Sequence, residues 1–206
     1  PWDTEHPNLY RCIAELLDTD GQVLHSRETT FGFRTAVFRA DGFYLNGKKT
    51  FLRGLNRHQS YPYIGYAAPE SLQRQDARIL KNELHCNAVR TSHYPQSRYF
   101  LDECDRLGLL VFTELPGWQH IGDAAWKDRA CAMLREMLLQ NRNHPSIILW
   151  GVRINESVDD DEFYTRTNQI AHTLDPSRAT SGVRYLEKSH LLEDVYAYND
   201  FSHNGS

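Results

Sequence analysis

Apolar and polar positions follow two different patterns along the chain, and the pattern changes near residue 40. Residues 9–18 are strand-like, residues 18–21 have the composition of a turn, and residues 22–38 alternate without a helical period. A segment of this size cannot bury two sheets by itself. We therefore predict that residues 1–40 are the last strands of a β-sandwich whose beginning is absent.

From residue 41 to residue 206, strands alternate with helices. Asn46-Gly47 predicts the turn of a hairpin over residues 44–49, and the first core strand is predicted at residues 50–56. Further strands are predicted at residues 87–90, 109–112, 147–150, 180–183 and 194–198. Helices are predicted after Pro69, between Pro95 and Gly108, before Pro145 and over residues 161–174. About six strand–helix repeats predict an α/β fold, the first part of a (β/α)8 barrel.

Two details of this pattern are specific enough to check. The helix after Pro69 is predicted to turn one apolar face inward, formed by Leu72, Ile79, Leu80 and Leu84. Residues 147–150 are a continuous apolar run, as in a strand buried on both faces, and polarity then rises toward Asn155-Glu156. We therefore predict a strand over residues 147–156 that ends in a carboxylate. The alternative is that Asn155-Glu156 begins the following helix.

Polar side chains follow the ends of most of the predicted strands. They are Asn56 and His58, Arg90 and His93, Glu114, Asn155 and Glu156, and Asn199 with Asp200. Because the carboxyl ends of barrel strands meet at one rim, these residues predict a converging site. Trp118 and His120, in the loop after Glu114, are suited either to the floor of a sugar site or to packing.

A glutamate at such a rim suits acid/base work on a polyhydroxylated substrate. Glycoside cleavage uses two carboxyl groups, which lie about 5 to 5.5 Å apart in retaining enzymes. Glu156 is a candidate for one of them. Glu114 is the only partner visible in the sequence, and it is equally suited to orienting Arg53 or Arg90.

Composition excludes several other classes of protein. A formal net charge of −4 and a pI near 6.2 argue against a nucleic-acid partner, and no apolar run reaches the roughly 20 residues of a membrane span. The four cysteines form no CxxC pair, and the ten histidines show no metal-binding spacing. Because Pro1 and the polar residues 202–206 are expected to be internal to a longer protein, the compartment, cytoplasmic or periplasmic, is left open.

Three motifs resemble glycoside hydrolase family 2, which contains β-galactosidases, β-glucuronidases and β-mannosidases. They are RGLNRH at residues 53–58, NAVRTSHYP at residues 87–95, and the stretch from RNHPSII to NE at residues 142–156. They occur in the order expected for the family. The resemblance implies that an immunoglobulin-like sandwich precedes a (β/α)8 barrel.

The resemblance also implies roles for single residues. Glu156 matches the general acid/base, Asn155 the residue that binds the sugar 2-hydroxyl, and Arg90 and His93 the active-site arginine and histidine. The nucleophile of the family lies on the seventh strand, so this chain is expected to carry only the acid/base half of a retaining site and to be inactive alone. His58 and Trp118 are further candidates for substrate binding. Glu114, His120, Asn199 and Asp200 are candidates for supporting roles.

The chain also departs from the family pattern at three positions. Gln59 stands where a carboxylate is common, Trp118 where some β-galactosidases carry a magnesium-binding glutamate, and Phe201 near an expected tyrosine. We therefore predict no metal site and no cofactor. His120 is at most a remnant of the magnesium site of those β-galactosidases.

The leading hypothesis is a retaining exo-β-glycosidase similar to β-galactosidases, which acts on a carbohydrate substrate. A homo-oligomer is compatible with this hypothesis for the longer protein. The alternatives are a carbohydrate-binding or scaffold protein with a degenerate barrel, and a metal-dependent hydrolase.

Overall fold

The computed structural model describes residues 1–185 and 187–201, so the polar string predicted at residues 202–206 lies outside the described residues. The chain begins with an antiparallel pair of strands, β1 (Tyr10–Leu17) and β2 (Val23–Phe31). A second antiparallel sheet contains β3 (Ala36–Arg39), β4 (Gly42–Leu45) and β5 (Lys48–Lys49). The predicted hairpin is therefore confirmed, with Asn46 and Gly47 both at positive φ in its turn.

A six-stranded parallel sheet forms the rest of the fold, and its strands follow one another in chain order. These strands are β6 (Gly54–Arg57), β7 (Ala88–Thr91), β8 (Leu110–Glu114), β9 (Ile147–Gly151), β10 (Ala179–Arg184) and β11 (Val195–Tyr198). The helices between them are α1 (Glu70–Arg78), α2 (Arg98–Leu107), α3 (Ala124–Asn141) and α4 (Asp161–Leu174). This order confirms the partial (β/α)8 barrel.

The two faces of the parallel sheet bury different clusters, because successive side chains of a strand point to opposite faces. Val111 and Trp150 pack with the helices, whereas Leu110 and Leu149 belong to a second cluster. Phe43, from β4, belongs to that second cluster too. The sheet of β3, β4 and β5 therefore supplies part of the core of the barrel.

The first two strands stand apart from this core. Every residue of β1 and all but the last of β2 are exposed, including Ile13 and Leu16 at 50% and 62%. The assignment of residues 1–40 to an immunoglobulin-like sandwich and of residues 41–206 to a barrel domain stays a prediction. None of the helices within the described residues has both the length and the apolar character that a bilayer crossing requires.

The structure corrects two details of the sequence analysis. Of the predicted inward face, only Leu80 is buried; Leu72 and Ile79 are partly buried and Leu84 is 52% exposed. Helix α1 continues as a π-helical segment, Ile79–Glu83, whose wider turn shifts the position of Leu84 around the helix. The strand predicted over residues 147–156 ends at Gly151. Glu156 therefore follows a short loop and does not end the strand itself.

Candidate active site

Glu156 is held at the carboxyl end of the sheet by the backbone of β10. The backbone N–H of Val152 donates to the carbonyl of Ser181, and that of Glu156 donates to the carbonyl of Val183, both at 2.8 Å. Glu156 itself adopts a left-handed backbone with φ of 55°. Helix α4 begins five residues later, capped by the side chain of Asp160, so Asn155-Glu156 does not begin that helix.

The carboxylate of Glu156 accepts hydrogen bonds at both oxygens. Trp118 Nε1 donates to Oε2 at 2.8 Å, Gln119 Nε2 donates to the same oxygen at 3.2 Å, and Asn199 Nδ2 donates to Oε1 at 2.5 Å. Partial burial, the largest single influence, raises the pKa of Glu156, but the hydrogen bonds together outweigh it and hold that pKa below its ordinary value.

Arg90 connects the strands on the other side of this carboxylate. Its Nε donates to Glu114 Oε1 at 2.9 Å, and its Nη2 donates to Asn155 Oδ1 at 2.5 Å and lies 3.2 Å from His93 Nδ1. Glu114 and Asn155 are each only 1% exposed. Glu114 is thus the partner of Arg90, one of the two arginines that the sequence offered.

Several buried polar atoms in this cluster have no hydrogen-bond partner among the described residues. They are Glu114 Oε2, Asn155 Nδ2 and Ser92 Oγ. A buried polar group left unpaired costs about 1 to 3 kcal/mol, so groups of this kind commonly serve a ligand or a bound water. Here an acceptor on Glu114 and a donor on Asn155, the two partners of Arg90, have unused capacity, which suits the hydroxyl groups of a sugar.

Aromatic rings extend the cluster away from Arg90. The rings of His58 and His93 meet edge to face with centroids 5.2 Å apart, and Tyr94 lies 5.9 Å beyond His58. Partial burial and then the neighbouring positive charges of His93 and Arg90 lower the pKa of His58. The sequence analysis missed Tyr94, although it lies within the NAVRTSHYP motif.

Two further candidates and one departure from the family pattern are His120, Asp200 and Phe201. The ring of His120 packs edge to face against Trp126 at 5.8 Å, and no hydrogen bond joins it to Glu156 among the described residues. Asp200 is exposed and follows Asn199 in the chain. Phe201 packs against Tyr185 at 5.6 Å. Gln119 was missed altogether, because nothing in a local pattern marks a glutamine after Trp118 as a partner of Glu156.

Comparison with known proteins decides the family. The profile described as "Glycosyl hydrolases family 2, TIM barrel domain" matches residues 37–203, and the one described as "Glycosyl hydrolases family 2" matches residues 1–34. The chain belongs to glycosyl hydrolase family 2. The family predicted from the three motifs is therefore confirmed.

Its relatives in the family are longer proteins. The β-galactosidase of Thermoanaerobacterium thermosulfurigenes is 61% identical over 99% of this chain, which corresponds to 28% of the relative. The β-galactosidase of Rhizobium meliloti is 42% identical over 97% of this chain and 27% of its own length. The solved apo structure of β-glucuronidase 3 from Bacteroides uniformis is 38% identical, with a TM-score of 0.87 over 97% of this chain and 27% of that one. The chain thus spans less than a third of the length of each of these three relatives.

The magnesium ion that some family members bind does not fit the residues around Glu156. An indole N–H only donates and cannot ligate a cation, and that of Trp118 occupies Oε2 of the carboxylate. Groups of three or more His, Cys, Asp or Glu side chains arranged to hold a metal are absent from the part of the chain that the structure describes. No step of the chemistry below therefore involves a metal.

Proposed function

We propose that this chain supplies the acid/base half of the site of a retaining exo-β-glycosidase of family 2 that acts on β-galactosides. The observation that carries the proposal is the hydrogen-bonded carboxylate of Glu156 at the carboxyl rim of the barrel, next to the unpaired Nδ2 of Asn155. The β-galactosidases among the relatives support the choice of sugar. The activity is proposed for the whole protein, meaning the catalytically competent chain that contains these residues.

In this proposal Glu156 has two successive tasks. As an acid, it protonates the glycosidic oxygen while the bond to the sugar breaks, and as a carboxylate it then takes a proton from the water that releases the sugar. The proposal assigns the nucleophile to a second glutamate in another part of the whole protein, because Glu114 is committed to Arg90. The 206-residue chain alone is therefore expected to show no turnover.

The neighbours of Glu156 have binding roles in the proposal. Asn155 donates from Nδ2 to the sugar 2-hydroxyl while Arg90 holds its Oδ1, and Glu114 fixes the guanidinium of Arg90. His93 and His58 line the sugar on the side of β7 and β6. Three further candidates also have roles in the proposal. The exposed ring of Trp118 packs against the leaving group, and His120 and Asp200 are supporting groups.

The Glu156→Gln variant of the whole protein tests the acid role. We expect kcat/KM for aryl β-galactosides with poor leaving groups to fall by about 10²- to 10⁴-fold, the usual contribution of a general acid. Substrates with activated leaving groups, such as 2,4-dinitrophenyl β-galactoside, need no protonation and should lose far less. Glu136→Gln, at an exposed position of α3, makes the same chemical change away from the site and should alter neither class. Equal losses for both substrate classes in Glu156→Gln would overturn the acid role.

The same assay tests the choice of sugar. We expect aryl β-galactosides to be turned over with a higher kcat/KM than the matched β-glucuronides and β-mannosides. A preference for the glucuronide would redirect the proposal to that sugar and leave the role of Glu156 intact.

A further inference from the structure

We infer that Trp118 and Gln119 are positioning residues that, together with Asn199, fix the orientation of the Glu156 carboxylate. This inference rests on the proposed role of Glu156 and concerns how that role is regulated. We call the three side chains the donor cradle. Gln119 has no assigned part in the chemistry, and Trp118 was considered above only as a surface for substrate.

The donor cradle holds both oxygens of the carboxylate from two different parts of the fold. Trp118 and Gln119 come from the loop after β8 and share Oε2, whereas Asn199 follows β11 and holds Oε1. Donors on both oxygens oppose rotation of the carboxylate plane. A catalytic group whose orientation is set by fixed neighbours is the arrangement that preorganised sites require.

The loop that carries two of these donors is itself tied to the segment that carries Glu156. The backbone N–H of Gln119 donates to the carbonyl of Asn155 at 2.7 Å, and that of Gly117 donates to the carbonyl of His93 at 3.1 Å. Gly117 has a φ of 150°, and a Cβ there would lie 2.8 Å from Ile154 Cδ1, so a larger residue would strain the backbone and displace Ile154. The donors therefore keep their distance to Glu156 through backbone contacts, independently of any substrate.

The backbone of Gln119 also adopts an uncommon conformation. Its φ of 60° matches the left-handed conformation of Glu156, with φ of 55°, and both residues carry a Cβ. Residues held in this region cost on the order of 1 to 3 kcal/mol and persist where the surrounding structure fixes them. The two residues that hydrogen-bond each other across the rim are both held this way.

The donor cradle has a chemical consequence that a purely structural contact would lack. N–H groups stabilise the ionised carboxylate, which is the form that Glu156 needs as a base, and they oppose the protonated form that it needs as an acid. The cradle therefore sets the balance between the two half-reactions. Removing a donor should favour the protonated form, so the alkaline limb of the pH profile of kcat/KM should move to higher pH.

The Trp118→Phe variant of the whole protein tests this inference, because it removes the indole N–H and keeps an aromatic ring. Trp118 is 60% exposed, so the variant should fold, which an unchanged thermal unfolding midpoint checks. We expect the alkaline limb of kcat/KM for an aryl β-galactoside with a poor leaving group to shift to higher pH. Gln119→Leu should shift it in the same direction and by less, since its hydrogen bond is the longer one.

Trp126→Phe is the matched control, because it removes the same N–H from a ring that packs against Phe163 and His120 and has no hydrogen bond to Glu156 among the described residues. Its alkaline limb should coincide with that of the parent. An unmoved limb in both Trp118→Phe and Gln119→Leu would overturn the inference, provided that Glu156→Gln shows the leaving-group difference. Absence of that difference would instead contradict the proposed function, so the two failures are distinguishable.

Discussion

The two ends of the parallel sheet both bury an arginine beside a carboxylate, yet they use it differently. At the amino end, Arg178 donates to the carbonyls of Arg142, His144 and Ile147 and also pairs with Asp175. Each nitrogen of its guanidinium group therefore has a partner within the chain. The guanidinium group at this end is thus satisfied by the fold itself, whereas Ser146 Oγ, next to these carbonyls, has no hydrogen-bond partner among the described residues.

At the carboxyl end, the corresponding cluster is left incomplete. Arg90 pairs with Glu114 and Asn155, but Glu114 Oε2 and Asn155 Nδ2 have no hydrogen-bond partner among the described residues, and that Oε2 lies 3.7 Å from His93 Nδ1. Barrel enzymes place their chemistry at this end and their stabilising contacts at the other. On the proposed function, the amino-end pair serves folding and the carboxyl-end cluster receives the sugar.

The largest effect on stability is expected from disrupting the arginine–carboxylate pair at the amino end of the sheet. Arg178→Met in the whole protein leaves Asp175 buried without its charge partner, and loss of one partner of a buried pair typically costs about 3 to 5 kcal/mol. Urea denaturation should show that loss in the free energy of unfolding, while kcat/KM per folded molecule stays the same. Arg166→Met is the control, because Arg166 pairs with Asp128 on the exposed surface and little stability should depend on it. A stability loss as small as that of the control would show that the amino end is not the stabilising one.

At the carboxyl end of the sheet, a smaller effect on stability and a larger effect on activity are expected. Asn155→Ala removes the unused Nδ2 and also the Oδ1 that accepts from Arg90, so the free energy of unfolding should fall by about 1 to 3 kcal/mol. We expect kcat/KM to fall about 10²-fold or more, since hydrogen bonds to a sugar 2-hydroxyl strengthen in the transition state. Asn141→Ala is the matched control, because Asn141 Nδ2 donates to the carbonyl of Met137. That variant should lose stability and keep its activity. The comparison of the two ends fails if Asn155→Ala retains activity.

How much of the structure the sequence predicts depends on whether the contacts are local or distant along the chain. The bounds of α4 and the buried run of β9 follow from local apolar periodicity, and the structure bears out both. Leu84 was predicted to face inward, but a π turn shifts its position around the helix. The composition of that segment does not indicate such a turn. Periodicity therefore predicts the elements and fails where the backbone leaves its regular repeat.

The candidate site shows the same limit in its hydrogen bonds. The motif around Asn155 and Glu156 places both residues at the rim, because strand ends are readable from the sequence. The hydrogen bonds to Glu156 are not readable, since Gln119 and Asn199 are 37 and 43 residues away and meet it only after four strands, β8 to β11, have been arranged side by side. Contacts of this kind depend on tertiary geometry, so the sequence identified the carboxylate and missed part of what holds it.

The smallest effect, none at all, is expected from removing metal ions. Because the indole N–H of Trp118 occupies Oε2 of Glu156, the carboxylate is oriented by neutral donors and needs no cation at that position. Incubation of the whole protein with EDTA, followed by assay of an aryl β-galactoside, should leave kcat/KM unchanged. A second form of the test repeats the assay in Trp118→Glu, which places a carboxylate where some β-galactosidases carry a magnesium-binding glutamate. Loss of parent activity in EDTA with recovery on adding Mg²⁺ would show that the carboxyl end of the sheet is completed by a metal as well as by substrate.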